Sequence, residues 1–194
     1  MIPKSRFTHA IIHLNQMTGV FGGWLFHNGM GFGKTAAWWK QGERKTPHEG
    51  IDLLFYVDQL GQTRQLAEEA MIPATWQGMV VAEFKDFLGS TVVVKHDITD
   101  GQGWLLHTLY GHTRPLVELG MEVATGQAIA KIAATGSSRR NTPPGHLHLS
   151  LAWLHPKCTP ASLDWPTLTR CPMVRLIDPM PITDILHNIS NNRH

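Results

Sequence analysis

The sequence predicts an all-β, mainly antiparallel domain with few short helices, and three observations carry that expectation. Strand-like runs follow one another: IDLLFYV (51–57), TRQLA (63–67), MVVAEF (79–84), TVVVKH (91–96), GWLLHTLY (103–110), QAIAKIA (127–133) and HLHLSLAWL (146–154). Turn-formers separate them at Asp58–Gly61, Asp86–Gly89, Asp100–Gly103, Gly120, Gly126 and Asn141–Gly145, in keeping with 18 glycines and 12 prolines. Most gaps are too short for crossover helices, so neighbouring strands should pair antiparallel.

Taken in order, the first 45 residues read as irregular with room for one short element. GMGFGKT (29–35) invites a phosphate-loop reading and fails it, because Asn28 stands where that motif needs its first glycine and no strand precedes it. A glycine-rich turn is expected instead. LAEEAM (66–71) suits one helical turn, and ITDILHNI (182–189) a short C-terminal helix. No fixed-period repeat or low-complexity tract appears.

With 194 residues, 42% of them apolar and 16% charged, the chain is long enough for one domain with a buried core. A formal charge of +2 gives no electrostatic footprint for nucleic acid or an anionic membrane. No apolar run reaches the length of a membrane span. His13, Asn15 and Gln16 interrupt the only stretch that might serve as a signal-peptide core, so none is read. Cys158 and Cys171 lie in a Pro-rich segment, where a bridged pair and two free thiols fit equally well.

Two histidine motifs carry chemistry. His48-Glu49-Gly50-Ile51-Asp52 sets an imidazole and a carboxylate four residues apart, on one face of an extended segment. His146-Leu147-His148 sets two imidazoles on one strand face, with Leu147 turned into apolar packing. Imidazole nitrogen and carboxylate oxygen are zinc ligands, and a catalytic zinc keeps three protein ligands and one open position. H-x-x-x-D alone is common by chance; beside an H-x-H strand in a small β-rich chain it favours a metal site over two packed core histidines. Residue chemistry leaves open whether His146, His148 or both bind the metal.

HEGID and GHLHLS resemble the first and last signatures of the lysostaphin-type (LytM-like) zinc metallopeptidases, a family of peptidoglycan endopeptidases. Tyr110-Gly111-His112 resembles the family's Tyr-x-His segment, and GMEVATGQAIAKIAATG (120–136), IPATWQGMVV (72–81) and IDPMPI (177–182) resemble further family segments in the same order. The resemblance implies a duplicated hybrid, barrel-sandwich-like fold. It implies one zinc per chain held by His48, Asp52 and His148, with His112 and His146 as an unligated catalytic pair. One of that pair would serve as general base, while the other would orient substrate or stabilise the oxyanion. It further implies a peptidoglycan peptide as substrate, a periplasmic or extracellular place of action, and a monomer.

On this reading residues 1–29 are an N-terminal extension, 30–182 the metallopeptidase catalytic domain, and 183–194 a C-terminal tail. Insertions fall at about 53–71, expected as an extra hairpin, and at 156–174. A non-catalytic wall-binding or hydrolase-regulating module of the same fold is the alternative, but such a module has no need of three metal ligands and two further histidines. A lipoyl-type carrier fits poorly, because Lys131 lies inside AIAKIAA with no exposed turn. The same constellation would serve a metal hydrolase acting on another amide. His107 is expected in the core; His96 is read either as a support near the metal or as a surface residue. Trp38 and Trp39 are expected to line the substrate groove, and Trp24, Trp76 and Trp104 to pack or form its walls.

Overall fold

The computed structural model of the protein describes residues 1–135 and 142–184, together with the backbone of 187–189. A helix, α1 (Phe7–Leu14), precedes β1 (Phe21–Phe26), β2 (Ile51–Leu53), β3 (Phe55–Asp58), β4 (Thr63–Gln65), β5 (Met71–Pro73) and β6 (Gly78–Lys85). Then come β7 (Ser90–Thr99), β8 (Leu105–Pro115), β9 (Glu122–Val123), β10 (Ala128–Ile132) and β11 (Leu147–Leu154). The short helix α2 (Trp165–Leu168), β12 (Val174–Ile177) and β13 (His187–Ile189) close the chain. The fold is thus mainly antiparallel β, as the alternating runs and tight turns predict.

Among the described residues the larger sheet has nine strands, with the path β12-β11-β8-β7-β6-β9 and with β10, β5 and β2 joined to it. A smaller sheet runs β13-β1-β3-β4, and the β3–β4 pair is the hairpin expected after the first motif. In the larger sheet β11 is the organising strand. One edge pairs with β8; the other pairs with β2 near its start and with β12 further on. Leu147 and Leu149 enter the main core with Ile51, Leu53 and Tyr110, while His148 takes the opposite face.

Two expected helical elements differ. Leu66–Met71 contains a single hydrogen-bonded turn, with Ala70 N–H on Ala67 C=O, and Met71 then begins β5. Glu69 adopts φ 59°, which ends any helical path. Residues 187–189 form a strand parallel to β1, because pairing there satisfies backbone groups on the open edge of the smaller sheet; residues 185–186 lie outside the described residues. Conversely, the stretch read as irregular holds both β1, a strand just ahead of the glycine-rich turn, and α1. Its Phe7 and Ile11 join the main core with Trp24, and Trp24 Nε1–H donates to Thr8 Oγ1 at 3.1 Å. Asn15 brackets the Met71 backbone, accepting from N–H at 2.7 Å and donating to C=O at 2.9 Å. Phe7, Ile11, Met17, Trp24 and Phe26 of the first 29 residues are therefore built into the core.

His96 and His107 are both buried. His96 donates Nδ1–H to Gln77 C=O and accepts from the Thr108 hydroxyl, with Trp76 against its ring. It is a packed histidine, neither a surface group nor a support for the metal ligands. His107 lies in the core as expected and donates to Leu105 C=O. Burial lowers each to about 4, against about 6.5 in an unfolded chain. A depressed folded value means that the stability from a neutral histidine is present above pH 6.5. It is lost as pH falls towards 4, where only the unfolded chain takes up the proton. The stability measured by urea unfolding should fall across that window, and His107→Gln should flatten the slope by about one proton, roughly 1.4 kcal/mol per pH unit. An unchanged slope would contradict the assignment.

Candidate metal centre

The glycine-rich turn frames the first histidine motif. Gly33 N–H donates to His48 C=O, His48 N–H to Lys34 C=O, and Asp52 N–H to Met30 C=O, each at 2.9 Å. On the other side β2 pairs with β11 so that Asp52 faces His148 directly. Gly50 sits at the closest approach, where a Cβ would collide with the Leu149 carbonyl oxygen and Ser150 Oγ; the space between the strands permits only glycine. His48 and Asp52 thus meet His148 through backbone register.

Three atoms converge. His48 Nε2 lies 3.1 Å from Asp52 Oδ1 and 3.0 Å from His148 Nδ1, and His148 Nδ1 lies 2.9 Å from Asp52 Oδ1. All three residues are buried, with 1%, 1% and 5% exposure for His48, Asp52 and His148. His48 donates Nδ1–H to Gly31 C=O at 3.0 Å, so its Nε2 carries a lone pair. In the tautomer that turns a lone pair of His148 Nδ1 inwards, Nε2–H donates to Ser150 Oγ at 2.9 Å. With both lone pairs turned inwards, the three atoms form a site that could hold a divalent cation. Tetrahedral zinc with bonds of about 2.0–2.1 Å separates its ligand atoms by about 3.3 Å, so the donor set fits zinc by type and by spacing.

The second carboxylate oxygen is occupied. Asp52 Oδ2 accepts from Trp38 Nε1–H at 2.6 Å and from Arg44 Nη2 at 3.0 Å, leaving Oδ1 for the centre. Burial raises the Asp52 pKa, but the charges of His146 and His48 and the histidine hydrogen bonds outweigh it and hold the carboxyl well below the usual range. Burial chiefly lowers His148 to about 3, so it stays neutral and ligand-competent. Trp38, expected as a groove wall, instead holds Asp52; Trp39 does line the cleft.

His146 and His112 stand beside this triangle. His146 donates Nδ1–H to Pro144 C=O at 2.8 Å, and its Nε2 lies 3.3 Å from Asp52 Oδ1. The rings of His112 and His146 are 4.8 Å apart between centroids. His112 reaches the site through a β-bulge. Between the pairs Val92↔Tyr110 and Ser90↔Thr113, β7 has one intervening residue and β8 has two. The extra residue, His112, adopts φ 62°. Plain alternation would put it on the core face with Tyr110; the bulge turns it towards the cleft.

The cleft, about 240 Å³, is bordered by Trp39, Phe87 and Trp165. Trp165 comes from the 156–174 segment and was not among the tryptophans singled out from sequence. It packs on His148 with ring centroids 4.6 Å apart and donates Nε1–H to Thr91 Oγ1 at 3.0 Å. A Cβ at Gly111 would stand 3.0 Å from its ring. Asp86, also not singled out, meets His112; the Asp-x-x-Gly turn was visible, but nothing in it points to a histidine 26 residues away. Cys158 and Cys171 are unbridged.

Comparison with known proteins follows the same residues. The profile of Peptidase family M23 matches residues 46–160, a segment that holds all five histidine and aspartate positions of the centre. Among solved structures, a zinc-containing peptidase from Vibrio cholerae is similar at 27% identity and a TM-score of 0.43, over 62% of this chain and 31% of that one. LytU is similar at 27% identity and a TM-score of 0.43, over 62% of this chain and 69% of that one. Lysostaphin is similar at 18% identity and a TM-score of 0.46, over 87% of this chain and 51% of that one. The matched region thus spans about a third of the Vibrio cholerae peptidase. Comparison with curated protein sequences gives no match. Among the described residues no helix is long and apolar enough to cross a membrane. With the profile covering more than half of the sequence and both histidine motifs inside it, the chain belongs to peptidase family M23.

Proposed function

We propose that the chain is a zinc-dependent endopeptidase that hydrolyses peptide bonds in bacterial peptidoglycan cross-links or stem peptides. The observation that carries this reading is the convergence of His48 Nε2, Asp52 Oδ1 and His148 Nδ1 within 3.1 Å of one another, beside a cleft with two further histidines. The substrate class rests on family membership and on the HEGID and HLH signatures, and places the site of action outside the cytoplasm, where the wall lies. Residues 30–182 are the catalytic unit on this reading, with 53–71 and 156–174 as insertions.

His48, Asp52 and His148 are the ligands. Gly31 C=O, Ser150 Oγ and the Trp38–Arg44 pair hold them in orientation, as hydrogen-bonded supports of metal ligands commonly do. Zinc bound there supplies a Lewis acid that lowers the pKa of a water and polarises a carbonyl. His112 and His146 handle the proton. His112 has its Nδ1 committed to Asp86, which leaves Nε2 to accept a proton or return it to the leaving amine; His146 is held by Pro144 C=O through Nδ1, with its Nε2 3.3 Å from Asp52 Oδ1. Trp39, Phe87 and Trp165 offer apolar walls along which a peptide can lie.

The purified protein should bind one zinc, measured by atomic absorption. His48→Ala or Asp52→Ala should lose both the metal and hydrolysis of purified peptidoglycan or of short glycine and D-amino-acid peptides. His112→Ala and His146→Ala should retain zinc and lose about 10²–10⁴-fold in rate. A zinc-loaded wild type that cleaves none of these substrates would overturn the enzymatic reading in favour of a regulatory module. Trp38→Phe, which deletes one donor to Asp52 Oδ2, should weaken zinc binding roughly 10–100-fold in a competition titration with a chelator.

A further inference from the structure

We propose that Asp86 is the positioning residue for His112, fixing its tautomer and its place in the cleft; this rests on the reading of His112 as a proton-handling group. Both oxygens of this carboxylate engage the same residue. Asp86 Oδ1 accepts His112 Nδ1–H at 3.0 Å, and Oδ2 accepts the His112 backbone N–H at 2.8 Å. That backbone group belongs to the extra residue of the bulge, and the carboxylate supplies the partner that keeps it satisfied at φ 62°.

A simpler role, closing the turn between β6 and β7, accounts for only part of the geometry. The turn uses Oδ1, which accepts from Leu88 N–H at 3.0 Å and Gly89 N–H at 2.8 Å. It does not need the side chain to be fully buried, as it is here, and burying a carboxylate costs several kcal/mol unless it is well bonded. Oδ2 turns away from that turn to His112 and to the Thr91 hydroxyl, at 2.8 Å. Thr91 in turn accepts from Trp165, so the wall of the cleft, the carboxylate and the histidine form one chain of hydrogen bonds. Burial alone would raise the Asp86 pKa, but the hydrogen bonds and charge of His112 outweigh it and keep the carboxylate ionised. An ionised partner on Nδ1 fixes the Nδ1–H tautomer, leaves Nε2 as the acceptor, and stabilises the imidazolium that forms when Nε2 takes a proton.

His146 is held differently, with a neutral carbonyl on Nδ1 and with its Nε2 3.3 Å from the Asp52 Oδ1 that faces the centre. The two cleft histidines are therefore unequal, and among them His112 alone has a carboxylate on its Nδ1.

The test compares Asp86→Asn, Asp86→Ser, His112→Ala and each Asp86 variant combined with His112→Ala, all in the zinc-loaded full chain. Serine can still cap the turn but cannot reach His112, so it reports if the asparagine variant does not fold. Zinc content should stay at one per chain. On the peptide cleaved fastest by the wild type, kcat should fall roughly 10–100-fold with KM little changed. Adding the Asp86 change to His112→Ala should cost no more than about twofold further, since groups acting as a unit are non-additive. Without substrate, the ¹⁵N NMR spectrum of the imidazoles should show His112 as a single Nδ1–H tautomer in the wild type and as a mixture in Asp86→Ser. Full kcat in Asp86→Ser, an additive loss on His112→Ala, or an unchanged tautomer would overturn the role of Asp86. A wild-type rate in His112→Ala would instead overturn the role of His112 itself.

Discussion

Three buried acceptor atoms aimed at one point are an electrostatic problem, and most of the structure around the centre answers it. His48 Nε2, Asp52 Oδ1 and His148 Nδ1 crowd together in a region from which water is largely excluded, and in the metal-binding tautomer no proton lies between them. Such a grouping is tolerable only if a cation or a shared proton sits in it and if every outer atom is already bonded. The outer atoms are bonded: Gly31 C=O and Ser150 Oγ each take one, and Trp38 and Arg44 share Asp52 Oδ2. The glycine-rich turn and the register of β2 on β11 exist, in functional terms, to hold this unstable arrangement still.

The half of the site that holds His112 obeys a different constraint. A flat, regular sheet alternates its side chains, and the face that carries Tyr110 is the core. Bringing His112 to the cleft takes one extra residue and a left-handed backbone at that residue, both of which lower local stability. Asp86 is the local compensation, and its own burial ties the β6–β7 turn to the cleft. The 156–174 segment adds Trp165 to this half, against His148 and Thr91. The half that holds His48, Asp52 and His148 is therefore built from register, and the other half from a deviation in register.

That contrast explains what was legible. Strand alternation and turn residues are local, so the antiparallel fold, the hairpin after the first motif and the buried His107 could be read directly. The meeting of His48, Asp52 and His148 was legible because their spacing matches a strand period and the set resembles a family signature. Trp38 was noticed but misplaced, since nothing in a Trp-Trp pair tells which ring will turn inwards to a carboxylate. Asp86 was invisible because its partner is remote in sequence and joined to it through a bulge, which has no signature of its own here. Helix α1 escaped because FTHAIIHL is short, lacks a side-chain N-cap and owes its helicity to packing of Phe7 and Ile11. The strand at 187–189 depends on an open edge elsewhere in the molecule, not on its own residues.

The ligands also differ greatly in sequence separation. His48 and Asp52 are neighbours, but His148 is 100 residues from the first of them. Their meeting requires β2, β11 and β8 to be in register, one of the most non-local events in the chain. A collapsed chain with only its local hairpins formed has half a binding site and no capacity to retain the metal. On the proposed reading, occupancy would report completion of the topology, and a bound ion would act as a latch on that long-range closure. Once latched, the chain must open that same closure before it can unfold. On the proposed reading, resistance to unfolding then depends on the metal as well as on the hydrophobic core.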